Sequence, residues 1–96
     1  MKEYRDASNR LTIEFAKIKV SKYSNLTKII VKKFDLKPLS LKVTGLDEIF
    51  QDFILDNKKV ALEWNIWSGY SIYSKNINAE SLVLKIGNFV KYEIED

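Results

Sequence analysis

The chain has 96 residues, 46% hydrophobic and 30% charged, with 16 Lys and Arg against 13 Asp and Glu for a net charge of +3. That length and composition predict one globular domain, residues 1–96, that needs most of its large apolar side chains for its own core. Cys and His are both absent, which excludes disulfides, thiol or imidazole catalysis and a Cys/His zinc site.

Residues 1–9, MKEYRDASN, are polar and are expected to form a flexible leader; they have no apolar segment of the secretion-signal kind. No apolar run in the chain approaches the ~20 residues that span a bilayer, so no membrane partner is expected. From Arg10 the pattern alternates, with Leu11, Ile13 and Phe15 on one side and Thr12 and Glu14 on the other, the period of a half-buried strand that can run on through Ile18 and Val20. Ser24 stands at an N-cap position, and Leu26, Ile29, Ile30 and Phe34 follow helical spacing with Lys28, Lys32 and Asp35 opposite. Pro38 ends that helix, having no amide hydrogen to continue it. Leu39, Leu41 and Val43 then alternate with Ser40, Lys42 and Thr44 up to Gly45, giving a second strand.

"LDEIF" reads equally as a helical turn or a loop. "QDFILD" is a strand, "DNKK" a polar turn whose Asp56 and Asn57 tolerate left-handed backbone, and "VALEWN" the next strand. "IWSG" turns the chain into "YSIYSK". Asn78 caps a final helix that has Glu80 in its first turn and Leu82, Val83, Ile86, Phe89 and Val90 on its buried side. Gly87 in that helix signals close packing or an early end. The expected fold is therefore α+β: an antiparallel sheet of about five strands with two helices on one face, in the order β-α-β-β-β-β-α.

The aromatic hairpin divides by face. Val60, Leu62, Trp64 and Ile66 make one continuous apolar side, so Trp64 is assigned to the core. Trp67 and Tyr73 fall on the other side, with Ala61, Glu63 and Asn65. If Phe53 and Leu55 point inward, Asp52 and Ile54 point outward as well. Ile54, Ala61, Trp67 and Tyr73 are then expected to form an apolar patch rimmed by Asp52, Glu63 and Asn65, serving as an interface or lying under the leader. No third helix is available to cover it, which predicts a weak homodimer through this face.

Catalytic chemistry has little to work with. Asp47, Glu48 and Asp52 are close enough in sequence to suggest a hard cation, but their spacing is not that of an EF-hand loop, and no metal site or cofactor is expected. Glu63 near Tyr73 has no visible partner to tune it as an acid or base, and the three glycines, at 45, 69 and 87, form no phosphate-cradling loop. The chain does not read as an enzyme. The basic excess is concentrated in residues 17–42, where eight lysines accompany one acid, Asp35. This is either the Lys-rich habit of the whole chain or an electrostatic footprint. On the second reading Lys17, Lys19, Lys22, Lys28 and Lys32 track nucleic-acid phosphates while Trp67 and Tyr73 stack bases.

The span "GLDEIFQDFILDNKKVALEWNIWSGYSIYSK", followed by a terminal helix, resembles the C-terminal half of small bacterial proteins that include immunity proteins neutralising toxins of bacterial competition. The shared pattern is a short strand, a polar turn, an "LxLxW"-like strand and an aromatic-Gly-hydrophobic strand before a helix. The resemblance implies a cytoplasmic, non-enzymatic protein that binds a partner protein, such as a toxin, and carries over no catalytic residues. The net positive charge departs from the acidic balance suited to masking a nuclease. The candidate partner-binding residues are Trp67, Tyr73, Glu63, Ile54 and Asp52.

Overall fold

The computed structural model describes residues 1–94. Its strands are β1 (Lys2–Arg5), β2 (Leu11–Phe15), β3 (Lys37–Pro38), β4 (Val43–Thr44), β5 (Glu48–Leu55), β6 (Lys58–Asn65) and β7 (Gly69–Ser74). Helix α1 (Tyr23–Phe34) lies between β2 and β3, and α2 (Glu80–Phe89) follows β7 and runs into a π-helical turn, Val90–Ile94. The fold is α+β with every strand pair antiparallel, in the order β1-β2-β7-β6-β5-β3, and β4 also pairs with β5. The sheet has seven strands rather than about five. The additional ones are the strand in the leader, Lys2–Arg5, and the short strand Lys37–Pro38, which precedes the expected strand at Leu39–Thr44.

One row of cross-strand neighbours fixes the core. Ile13 pairs with Ile72 and Ile72 with Leu62, while Phe15, Tyr70 and Trp64 form the next row on the same face. Both helices cover that face. Gly87 of α2 lies so close to β2 that a Cβ there would meet the Ile13 side chain at 2.5 Å, so close packing, not an early helix end, explains this glycine. On α1, the Tyr23 hydroxyl donates to the Leu62 carbonyl at 2.7 Å and Thr27 shares a 2.7 Å hydrogen bond with the Tyr70 hydroxyl. These bonds satisfy phenols that would be costly to bury alone. They also turn the helix about its axis: Tyr23, Leu26, Thr27 and Ile30 are buried, and Ile29, expected in the core, faces out.

Five further expectations change. The leader is not loose: residues 2–5 are β1, paired with β2 from Lys2–Glu14 to Arg5–Leu11. Its turn is held by Asp6, whose carboxylate accepts from the Ser8 and Arg10 amides and the Arg10 guanidinium, and by a left-handed Asn9. All these contacts are polar, so no apolar period announces the strand. The first helix begins at Tyr23 with no side-chain cap and ends at Asp35 in the left-handed conformation, three residues before Pro38, which instead occupies an edge strand where a missing amide hydrogen costs nothing. Of the expected strand at Leu39–Thr44 only Val43–Thr44 forms; at Ser40 the hydroxyl accepts from the Asp52 amide and the backbone carbonyl from the Gln51 side-chain amide, in place of a strand ladder. Asn78 does not cap α2; it lies in a 3-10 turn before it. The "LDEIF" segment is neither helix nor loop but leads into β5, which starts at Glu48.

Candidate protein-binding surface

The outer face of the sheet is built from the residues between the core positions. Thr12, Tyr73, Ala61 and Asp52 form one row across β2, β7, β6 and β5, and Glu14, Ser71, Glu63 and Phe50 form the next. The centre of this face closes on itself. The Tyr73 hydroxyl donates to Glu63 at 3.3 Å, the Asn65 amide donates to the other Glu63 oxygen at 2.8 Å, and Tyr4 donates to Glu14 at 2.7 Å. The Arg10 guanidinium stacks 4.5 Å from the Tyr73 ring centre, and the Lys75 ammonium, 5.9 Å from the same ring, also reaches Asp52 at 3.4 Å. A small polar cleft of about 130 Å³ remains between Tyr4, Arg10, Glu63 and Tyr73.

Burial, reinforced by Glu63, pushes the Tyr73 phenol up to about 12; burial and the bond to Glu14 do the same for Tyr4. Both phenols therefore remain hydrogen-bond donors across the neutral range. The Glu63–Tyr73 pair acts as a fixed structural bond.

A different surface forms at one end of the sheet. The Asn65 side-chain oxygen accepts from the Trp67 and Ser68 amides at 3.0 and 2.8 Å, which sets the tight turn between β6 and β7. Gly69 completes it at φ +70°, where a Cβ would sit 2.5 Å from the Phe15 carbonyl oxygen. Only glycine fits both the dihedral and the space. Ile66 and Trp67 consequently stand out from the turn, 54% and 77% exposed. The Ile66 amide donates to the Asp47 carbonyl at 3.1 Å, which places the turn beside Leu46, itself fully exposed at 104%. Val43, half-exposed, pairs with Phe50 where β4 runs beside β5, and Leu41, 87% exposed, precedes it in the chain.

The structure thus divides the expected patch. Tyr73 and Glu63 come together, and Asp52 joins them through Lys75. Ala61 is fully buried beneath its neighbours and contributes no surface. Ile54 is half-buried towards the other end of β5, between Lys37 and Lys59. Trp67 belongs to the apolar end, separated from Tyr73 by four residues of β7 or roughly 13 Å at the usual strand rise. The residues missed by sequence reasoning are Leu41, Val43, Leu46 and Ile66; Ile66, expected on the core row with Trp64, instead lies past the end of β6, in the turn. Leu46 and Ile66 lie inside turn signals, "TGLDE" and "NIWSG", where an apolar residue has no strand face to return to.

Asp47, Glu48 and Asp52 do not converge, and no group of three acidic side chains among the described residues is placed to hold a metal ion. Lys28 and Lys32 are exposed on α1, across the sheet from Tyr73, so a strand passing over them has no stacking partner in that ring. Lys17, Lys19 and Lys22 gather at a groove beside the first half of α1. No helix among the described residues is long and apolar enough to cross a membrane. No protein-family model, curated protein or solved structure matches the chain.

Proposed function

We propose that the chain is a non-enzymatic protein-binding module of the bacterial cytoplasm, of the immunity-like or accessory kind, which docks its partner protein on the apolar end formed by Leu41, Val43, Leu46, Ile66 and Trp67. The observation that carries this reading is the exposure of Trp67 and Leu46 in turns fixed by Asn65, Gly69 and a backbone bond to Asp47. A water-exposed tryptophan on a turn whose backbone is fixed is the kind of group that carries most of the energy in protein interfaces. The backbone of its turn is already ordered by the fold, so docking costs only the freedom of the side chain. The polar, internally bonded outer face is the less suitable surface, because a partner there would have to break the Tyr73, Glu63 and Arg10 contacts before making its own.

The experiment is co-purification of the tagged protein from its own cells beside Trp67→Ser and Leu46→Ser variants. A stoichiometric protein retained by the wild type and lost from both variants, at unchanged melting temperature, supports the reading. Equal retention by all three, or loss only on Tyr73→Ala, overturns the assignment to this end.

A further inference from the structure

We propose that the groove between α1, the 16–19 loop and the C-terminal π-helical turn binds a single-chain anionic amphiphile: an alkyl chain with one acidic head group. The groove encloses about 660 Å³, within the ~300–1,000 Å³ usual for small-ligand sites. Its floor is apolar, made by Ile18, Leu26, Ile29 and Ile94. Ile29 and Ile94 remain 44% and 39% exposed, so the floor is not closed by the described residues. Three cations, Lys17, Lys19 and Lys22, stand at the loop and at the start of α1, all exposed.

The lysines cluster at the end of the groove formed by the 16–19 loop and the start of α1, and Leu26 and Ile29 continue the apolar floor from there along the helix. Lysines at one end offer compact positive charges to an anionic head, and the floor, running about 10 Å along α1 from Lys22 to Ile29 at the helical rise, takes a chain. None of Lys17, Lys19 or Lys22 has a carboxylate partner among the ion pairs of the described residues.

The dimensions favour a small ligand over a macromolecule. Eight residues line the groove, whereas a standard protein interface uses ~20–30 a side. A phosphate backbone needs the lysines but has no use for a concave aliphatic floor. A bilayer surface receives apolar side chains that protrude, whereas here Leu26 is buried and Ile18 half-buried in the floor. The site is separate from the partner-binding end, and its test does not depend on that reading.

A reporter is built in. The Trp64 indole nitrogen donates to the Ile18 carbonyl at 2.9 Å, directly behind the groove wall. With only two tryptophans in the chain, Trp67→Phe leaves Trp64 as the sole indole. Titration of that variant with decanoate, below its micelle concentration, is expected to give a saturable change in Trp64 emission that weakens as salt is raised. Adding Lys17→Gln, Lys19→Gln and Lys22→Gln should weaken binding about tenfold or more, by removing the head-group charges. Ile29→Glu, at an exposed position that leaves the core intact, should abolish it.

Decyl glucoside and decyltrimethylammonium should bind far less well than decanoate. The proposal is overturned by the absence of a saturable response, by equal affinity for the uncharged and anionic chains, or by full affinity in the lysine variant at unchanged melting temperature. A response to phosphatidylglycerol vesicles or to an oligoglutamate peptide without one to decanoate also overturns it, reassigning the groove to a membrane or a protein.

Discussion

Tyr73 and Trp67 lie six positions apart on the same hairpin and meet opposite fates. Tyr73 is in a strand, where register supplies neighbours. Glu63 takes its hydroxyl, Arg10 covers its ring from the next strand's turn and Lys75 closes the side. Trp67 is in a turn, where Asn65 and Gly69 fix the backbone and no side chain is positioned to cover it. An aromatic residue on a nominally exposed face is thus covered or displayed according to whether long cations can reach it, a property absent from its own alternation pattern.

Breaking the scaffold of the displayed side should have the largest effect. Gly69→Ala combines a left-handed backbone with a clash against main chain that cannot move away; a loss of about 3 kcal/mol or more is expected in urea denaturation. On the covered side, Tyr73→Ala removes the cap over Ala61 and leaves Glu63 with one partner fewer, which should cost about 2 kcal/mol in the same measurement. Trp67→Ser should change stability by no more than about 0.5 kcal/mol, as an exposed turn position. Were Trp67→Ser the more destabilising of the two, the division into a covered and a displayed aromatic would fail.

Alkaline titration sharpens the same contrast. Burial raises the phenols of Tyr4, Tyr23 and Tyr73 to about 12 and that of Tyr70 further still. Because the folded values lie above the unfolded one near 10, the protonated phenols contribute stability that is complete below about pH 10 and is lost as pH rises towards 12. Most tyrosinate absorbance should therefore appear together with unfolding. A smooth titration near pH 10 with the fold intact would contradict the burial of these rings. In acid, burial pushes Asp6 up, but the Arg10 amide and guanidinium and the Ser8 amide outweigh it and hold the carboxyl below its ordinary value. That support for the β1–β2 turn is present above about pH 4 and fades as pH falls through the lowered value. Amide protection in β1 should decline there before that of β6.

The smallest effect concerns self-association. The isolated protein at high micromolar concentration should form a weak dimer through the apolar end, not through the outer sheet face, and light scattering should show it reduced by Trp67→Ser and unaffected by Tyr73→Phe.

The central strands and both helices were legible because half-buried elements carry a period: Leu11, Ile13 and Phe15, or Val60 and Leu62, can face only one way. β1 was not legible, since it is held by Tyr4–Glu14 and by an ion pair from Arg5 to Glu80, far along the chain. Neither pair leaves a local trace. Trp67 was legible as a candidate and its companions were not, because Leu46 and Ile66 are brought beside it by a backbone bond between two turns. The outer-face patch failed for a converse reason. Strand alternation placed Ala61 and Tyr73 on the correct face but carried no information about the reach of Arg10 and Lys75 over them.

The pairing of β2 with β7 joins an early strand to the last one, and this orders events in time. Strands β5, β6 and β7 are linked by short turns and can zip locally as soon as they exist. β2, with its row of Leu11, Ile13 and Phe15, has no neighbouring strand on its core side until β7 has been synthesised, and α2, which packs on both β7 and β2, completes its floor only when Ile13 lies beneath Gly87. During translation the amino-terminal hairpin therefore waits as an adhesive, unsheltered segment for most of the chain's emergence. Docking of that hairpin is expected to come late in folding, and a holdase that shields residues 11–15 on the ribosome should raise the yield of native protein.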